Sequence, residues 1–447
     1  MNAVIPDKKY KLNASRMKAY TPYVSYLKRL LFESAAVLPT SLKTLNRSAL
    51  TAALDGEPSR ELRNRIDLSV QRATGSFFTG QILADSVAKF LKLKTHNLIV
   101  DPACGAGDLL VATARKLPMA KDLKTTLNNW SCILGGYDLH PQFIQSTKIR
   151  LILLAIYRGA KADPNFSESF LRSEFNNIRI GDGLKNAKQI YNASHLIMNP
   201  PYTMMTAGDS CGWANGSVST AAVFLDSYLS ILGGGSQVLA ILPDVLRTGS
   251  RYRAWRKEVQ KKTNINDIKI IGQFDRWADV DVFILNLTVR GKKPWRVSWK
   301  TPNSKKGKSI GDHFDVRVGP VVPFRDPCEG ESSPYIVSKD LPRWGSLKKI
   351  GNFRKFSGTR YKGPFVAVRR VSRPGDKYRA VGTIITSREK IAVENHLLVL
   401  KPKNNKTTTC QQLLKILKSS KTNSWLNKKI CCRHLTIDSI KKLPWWF

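Results

Sequence analysis

The sequence predicts a doubly wound α/β core, preceded by a helical extension and followed by a basic domain of mixed α+β structure. Three observations predict it. Between about residues 75 and 290, short β-rich apolar runs alternate with helical stretches, as in a sheet with helices on both faces. Before that, apolar positions such as Tyr23, Tyr26, Leu27, Leu30 and Leu31 recur at helical spacing. From residue 291 the chain turns rich in Pro, Trp and Lys, beginning Gly291-Lys-Lys-Pro-Trp295. The expected boundaries are therefore 1–74 (helical), 75–290 (α/β) and 291–447 (basic).

Within the α/β region the expected strands are Asn97–Asp101, Cys132–Asp138, Ile178–Ile180, His195–Met198, Gln237–Leu242, Ile268–Phe274 and Val282–Val289. The helices between them are Leu109–Leu117, Gln142–Tyr157, Ala221–Leu232 and Tyr252–Lys261, and the sheet is expected to be parallel. In the last third, about 35 basic residues stand against about 10 acidic ones, the charge footprint of a nucleic-acid-binding face. About six of the ten tryptophans lie there; packing in the core is the expected role for most of them, and stacking on bases is the alternative.

The whole chain of 447 residues carries 73 Lys+Arg against 33 Asp+Glu, a formal net charge of +40. With 42% hydrophobic residues this charge belongs to a folded surface rather than a disordered tail, and polyanions are its natural partners. An enzyme of neutral small molecules is not the default reading. No apolar run approaches a membrane span and the start lacks an apolar signal core, so the protein is read as cytoplasmic, without membrane partners. Seven cysteines without a C-x-x-C spacing, and six scattered histidines, predict neither a disulfide framework nor a metal site.

The strongest local feature is Leu98-Ile-Val-Asp101-Pro-Ala103-Cys104-Gly105-Ala-Gly107-Asp108, a strand running into a glycine turn and then a helix. Two glycines let the backbone approach a ligand, and the helix start offers free N–H groups beside the switch point of the sheet. The third glycine of the dinucleotide fingerprint is missing and no phosphate loop occurs. Taken alone, the glycines fit a ligand-free tight turn equally well. Asp138, in Gly136-Tyr-Asp138-Leu-His-Pro, and Asp182, in Gly181-Asp-Gly183, then end the second and third strands. They stand where ribose hydroxyls and an adenine amine of a nucleoside cofactor need acceptors; an isolated turn Asp is otherwise a cap. The fourth strand ends in Asn199-Pro200-Pro201-Tyr202. The Asn199 amide oxygen and the Pro200 carbonyl can accept both hydrogens of a planar amino group, and Tyr202 can stack on its ring. In isolation the tetrapeptide is a rigid turn; following a cofactor turn, it favours chemistry.

In these features the sequence resembles the S-adenosylmethionine-dependent amino-group methyltransferases, and specifically the adenine-N6 DNA methylases of restriction-modification and related defence systems. The resemblance spans roughly 75–290 and the remainder loosely. It includes Ser76-Phe-Phe-Thr79-Gly80, which looks like the family's segment preceding the first strand, with Gly80 where a proline is usual. The order of segments looks like the gamma arrangement. The resemblance implies a Rossmann-like methyltransferase sheet, S-adenosylmethionine as cofactor, and a C-terminal target-recognition domain. By it, Thr79, Ala103, Cys104, Gly105 and Gly107 would hold the methionine end, Asp101 would orient it, Asp138 would take the ribose and Asp182 the adenine. Asn199, Pro200, Pro201 and Tyr202 would form the catalytic tetrapeptide, and Trp277, in preference to Phe274, would give a second aromatic wall. Two later stretches, at 363–375 and 391–400, look similar to the recognition regions, with Arg369, Arg370 and Arg373 expected to contact DNA.

The implied reaction is direct methyl transfer to the N6 amine of a flipped adenine in duplex DNA, with no metal and no enzyme-linked intermediate. Double-stranded DNA is the implied partner, with a cognate restriction endonuclease or other defence-system subunits beside it. A cytosine-C5 methylase would need a Pro-Cys nucleophile after the fourth strand, and Pro327-Cys328 lies far beyond it. The alternatives are methylation of RNA adenine or of protein glutamine, and a silent DNA-recognition subunit.

Overall fold

The computed structural model describes residues 16–36, 44–93, 97–163, 166–167, 174–208, 211–275, 277–278, 280–290, 299, 307–373, 375–430 and 434–446. Trp295, most of the Lys-rich stretch at 303–308 and the Cys431-Cys432 pair lie outside the described residues. The chain forms two compact units, Met1–Leu246 with Tyr252–Ser298, and Arg247–Arg251 with Trp299–Phe447.

The first unit is built on a seven-stranded sheet. Its elements are helices α1 (Thr21–Ala35), α2 (Thr44–Leu54), α3 (Glu57–Arg65), α4 (Leu68–Thr74), α5 (Gln81–Ala88), α6 (Asp108–Ala114), α7 (Leu123–Ile133), α8 (Pro141–Tyr157), α9 (Thr220–Leu229) and α10 (Arg253–Lys262). The strands are β1 (Ile99–Asp101), β2 (Leu134–Asp138), β3 (Ile178–Ile180), β4 (His195–Met198), β5 (Met204–Thr206), β6 (Ser217–Ser219), β7 (Gln237–Pro243), β8 (Thr263–Gln273) and β9 (Asp281–Val289). The sheet order is β3-β2-β1-β4-β7-β9-β8, while β5 and β6 form a separate hairpin. All seven expected strands are present, and the α/β fold class is the one expected.

The sheet is not wholly parallel. β9 runs antiparallel to both β7 and β8, with bulges in the β8–β9 ladder. Only residues 274–280 join β8 to β9, and so short a connection can make only an antiparallel pair. The parallel part leaves its switch point between β1 and β4, where the chain departs to opposite sides and a crevice opens beyond the strand ends.

Helix α8 is buried along most of its length, and its second half is apolar but for Arg150, as a helix buried on several sides must be. The N-terminal helices pack on it: Tyr20, Leu27 and Leu31 share one core with Phe143, Leu151, Leu154 and the strand residues Ile99 and Ile197.

The second unit carries a five-stranded and a four-stranded sheet. Its central strands bury both faces. On Phe365–Arg369, Val366 and Val368 join the core beneath helices Thr407–Lys418 and Ser420–Lys429, whereas Phe365 and Ala367 join the core on the opposite face. Leu397–Pro402 divides in the same way, so the period-2 alternation vanishes from its sequence, Leu-Leu-Val-Leu. Trp344, Trp425 and Trp445 pack against the helix-side core.

Candidate functional site

The crevice above β1 and β4 gathers six of the expected residues, while Gly107, Asp138, Asp182, Pro200, Pro201 and Tyr202 are not part of its lining. A concavity of about 250 Å³ is lined by Thr79, Asp101, Ala103, Cys104, Gly105 and Asn199, together with Phe77, Phe78, Ala106, Asp108 and Leu109. The last five are not among the expected site residues.

The glycine turn is closed by its neighbours. Gly107 has φ +88° and caps α6; a Cβ there would lie 2.7 Å from the Thr147 methyl, so only glycine fits. Thr147 in turn donates to the Gly105 carbonyl at 2.9 Å. Asp101 accepts from the Ala103 N–H at 3.1 Å and is 1% exposed; burial, reinforced by Asp138 and Asp108, pushes its carboxyl up to about 8. Asp138 accepts from the Gly105 N–H at 3.0 Å and the His140 N–H at 2.8 Å, one bond on each oxygen, and burial raises its pKa also. Each oxygen keeps a second lone pair for a ligand hydroxyl. Asp182 accepts from the Leu184 N–H at 3.0 Å, while Gly183 lies so close to Pro102 that a Cβ would sit 2.1 Å from its carbonyl oxygen. The three strand-end acids are thus tied to one turn.

Asn199 is held from both ends. Its Nδ2 donates to Thr79 Oγ1 at 3.0 Å, and its Oδ1 accepts from the Tyr202 hydroxyl at 2.5 Å. Burial pushes the Tyr202 phenol well above its ordinary range, so it remains a donor. The Tyr202 ring meets Phe274 edge-on, with centroids 5.7 Å apart. Trp277 sits farther along the β8–β9 hairpin loop, 38% exposed, with the Arg63 guanidinium over its ring.

Gly80 stands at φ +71° and donates its N–H to Asp108 Oδ2 at 2.7 Å. The other oxygen of Asp108 meets Arg150 Nη1 at 2.8 Å, and both side chains are buried. Arg150 also donates to the carbonyls of Ala53 and Ala106. One ion pair therefore joins the Thr79 segment, the glycine turn, α8 and the end of α2. Neither residue was expected at the site; the available signal was a lone arginine inside the apolar run Ile149-Arg-Leu-Ile-Leu-Leu-Ala-Ile156.

In the second unit, Arg369 donates to the Leu341 carbonyl at 2.8 Å and Arg370 to the Asn395 carbonyl at 3.4 Å, and both are half-buried. Arg373 is exposed. Among the described residues, no group of three or more His, Cys, Asp or Glu side chains is placed to hold a metal ion, and no helix is long and apolar enough to cross a membrane.

Residues 68–222 match the family model of the N-6 DNA methylases. The matched stretch contains Thr79, the glycine turn, both later strand-end acids and Asn199-Pro-Pro-Tyr202. Comparison with curated proteins finds no match. Among solved structures, the chain is similar to a modification subunit from Vibrio vulnificus YJ016 described as that of a type I restriction enzyme, at 16% identity and a TM-score of 0.38. That alignment covers 52% of this chain and 49% of the other, so the chain spans about half the length of that subunit. The type IIG restriction endonuclease BpuSI aligns at 13% identity and a TM-score of 0.40, over 86% of this chain and 60% of its own. The M protein of the type I restriction enzyme EcoKI aligns at 15% identity and a TM-score of 0.35, over 63% and 66%.

Proposed function

We propose that the protein is an S-adenosylmethionine-dependent methyltransferase acting on the N6 amine of adenine in duplex DNA, in a restriction-modification or related defence system. The observation that carries this reading is the hydrogen bond between Thr79 and Asn199, which ties the first residue of the Asn-Pro-Pro-Tyr turn to the segment before β1 in the concavity that Ala103, Cys104 and Gly105 of the glycine turn also line.

The residues present fit the cofactor. A glycine turn with positive φ, three buried or half-buried carboxyl groups with spare acceptor capacity and a wall of Phe77 and Phe78 suit a zwitterionic nucleoside with an apolar thioether middle. Asp101 and the turn at 103–107 would hold its methionine end, Asp138 the ribose and Asp182 the base. When bound, it supplies an electrophilic methyl group.

The chain's own part is to orient the acceptor. Thr79 fixes the Asn199 amide so that Oδ1 faces the acceptor side, where it and the Pro200 carbonyl accept the two amine hydrogens and direct the nitrogen lone pair away from the ring. For this, the Tyr202 hydroxyl must leave Oδ1, and the freed ring becomes a stacking wall. The contact with Tyr202 favours Phe274 over Trp277 as the aromatic next to it.

Asn199→Ala tests the assignment. With labelled S-adenosylmethionine and duplex DNA, transfer to N6-adenine should fall at least 100-fold, about the cost of removing one positioned polar group, while cofactor affinity by calorimetry stays within a few-fold. Transfer at the wild-type rate would exclude Asn199 from the chemistry. Label appearing only in RNA or on glutamine would replace the substrate.

A further inference from the structure

We propose that α3, α4 and the tip of the β8–β9 hairpin form a duplex-DNA contact surface beside the candidate site, with Arg63 and Arg72 on backbone phosphates next to the target nucleotide. The inference rests on the methyltransferase reading above and adds the N-terminal helices to its substrate interface.

The helices reach the site itself. Gly75, at the end of α4, abuts the catalytic turn: a Cβ there would lie 2.6 Å from the Pro201 Cβ. Three residues earlier, Arg72 donates to the Trp277 carbonyl at 3.0 Å. At the hairpin tip, Asp275 Oδ1 accepts from the N–H groups of both Trp277 and Ala278. Phe274, at the base of the same loop, meets Tyr202. Helix end, hairpin loop and catalytic turn therefore form one rim.

Among the described residues, the cations of this rim are neutralised only in part. On α3, Arg60 pairs with Glu57 and Arg65 with Glu61. Among the described residues no carboxylate lies within ion-pair distance of Arg63 or Arg72. Both engage the hairpin by means that leave donors over: the Arg63 guanidinium carbon lies 6.0 Å from the Trp277 ring centroid, a contact with the ring that consumes no N–H group, and Arg72 uses a single Nη on a carbonyl. Such pre-placed forks suit phosphate diesters. The exposed part of Trp277 adds an aromatic surface for a neighbouring sugar or base.

The test is binding of a labelled mixed-sequence duplex by fluorescence anisotropy over a series of salt concentrations, using the full chain. In R63Q/R72Q the slope of log affinity against log salt should become shallower by about 1.8, since each lost phosphate contact removes about 0.9. R63K/R72K, which keeps the charge, should restore most of the slope, and the melting temperature should match the wild type in both. An unchanged slope in the glutamine pair, with wild-type methyl transfer to DNA intact, would overturn this surface alone. Failure of the wild type to bind or methylate duplex DNA would overturn the functional reading and this inference with it.

Discussion

At the residue scale, Asp101 makes the pH behaviour of the cofactor-free protein informative. Its carboxyl is raised from 3.8 to about 8, so the folded state holds a proton that the unfolded chain has released. The stability it contributes is complete below pH 3.8 and is lost as the pH rises toward 8. Asp101→Asn mimics the protonated form at every pH and preserves the acceptor for the Ala103 N–H. Its melting temperature should therefore gain on that of the wild type between pH 4 and 8 and then level off; a difference that stays constant with pH would show that Asp101 is ionised throughout. The acids at the strand ends were legible because each follows a β-rich run and precedes a turn. The Tyr202–Asn199 bond was not, since spacing reveals which groups can meet a ligand but not that they satisfy each other without one.

At the element scale, the Asp108–Arg150 pair is the joint between α6, α8 and the N-terminal helices. Arg150→Met would leave Asp108 charged and buried, and the carbonyls of Ala53 and Ala106 without this donor. Unfolding free energy from urea titration should fall by about 3–5 kcal/mol, and Asp108→Asn in the same chain should recover part of that loss. No loss in the single variant would mean that the pair carries no net stability. Strands β1, β2, β4, β7 and β9 were readable because strands buried on both faces write continuous apolar runs. Helix α7 and the β5–β6 hairpin escaped notice. α7 spends much of its length on Lys124, Thr125, Asn128 and Asn129, which face solvent, and β5 and β6 are only three residues each, too short for a pattern to show. The pairing of Asp108 with Arg150 spans 42 positions, beyond any local pattern.

For the whole molecule, the net charge of +40 sets the terms of binding. If the chain neutralises 6–10 phosphates, raising salt from 50 to 200 mM should weaken duplex affinity by roughly 10³–10⁵. A nearly flat salt response would mean that the charge serves something other than a nucleic-acid backbone. Composition made this excess visible, and its concentration in the last third was countable. Which cations are available was not, because burial decides it: the Arg369 and Arg370 guanidinium groups hold the second unit's own carbonyls, while Arg373 is exposed.

The turn at Gly80 has a consequence for anyone redesigning this chain toward the methylases it resembles. Position 80 combines a left-handed backbone with a donated N–H to Asp108. Proline, the residue usual there among the methylases the sequence resembles, has neither: its ring fixes φ near −65° and it carries no amide hydrogen. A consensus swap at this one place would strip Asp108 of a partner and turn Thr79 away from Asn199, so averaging over the family would erase a local solution that this sequence found for itself.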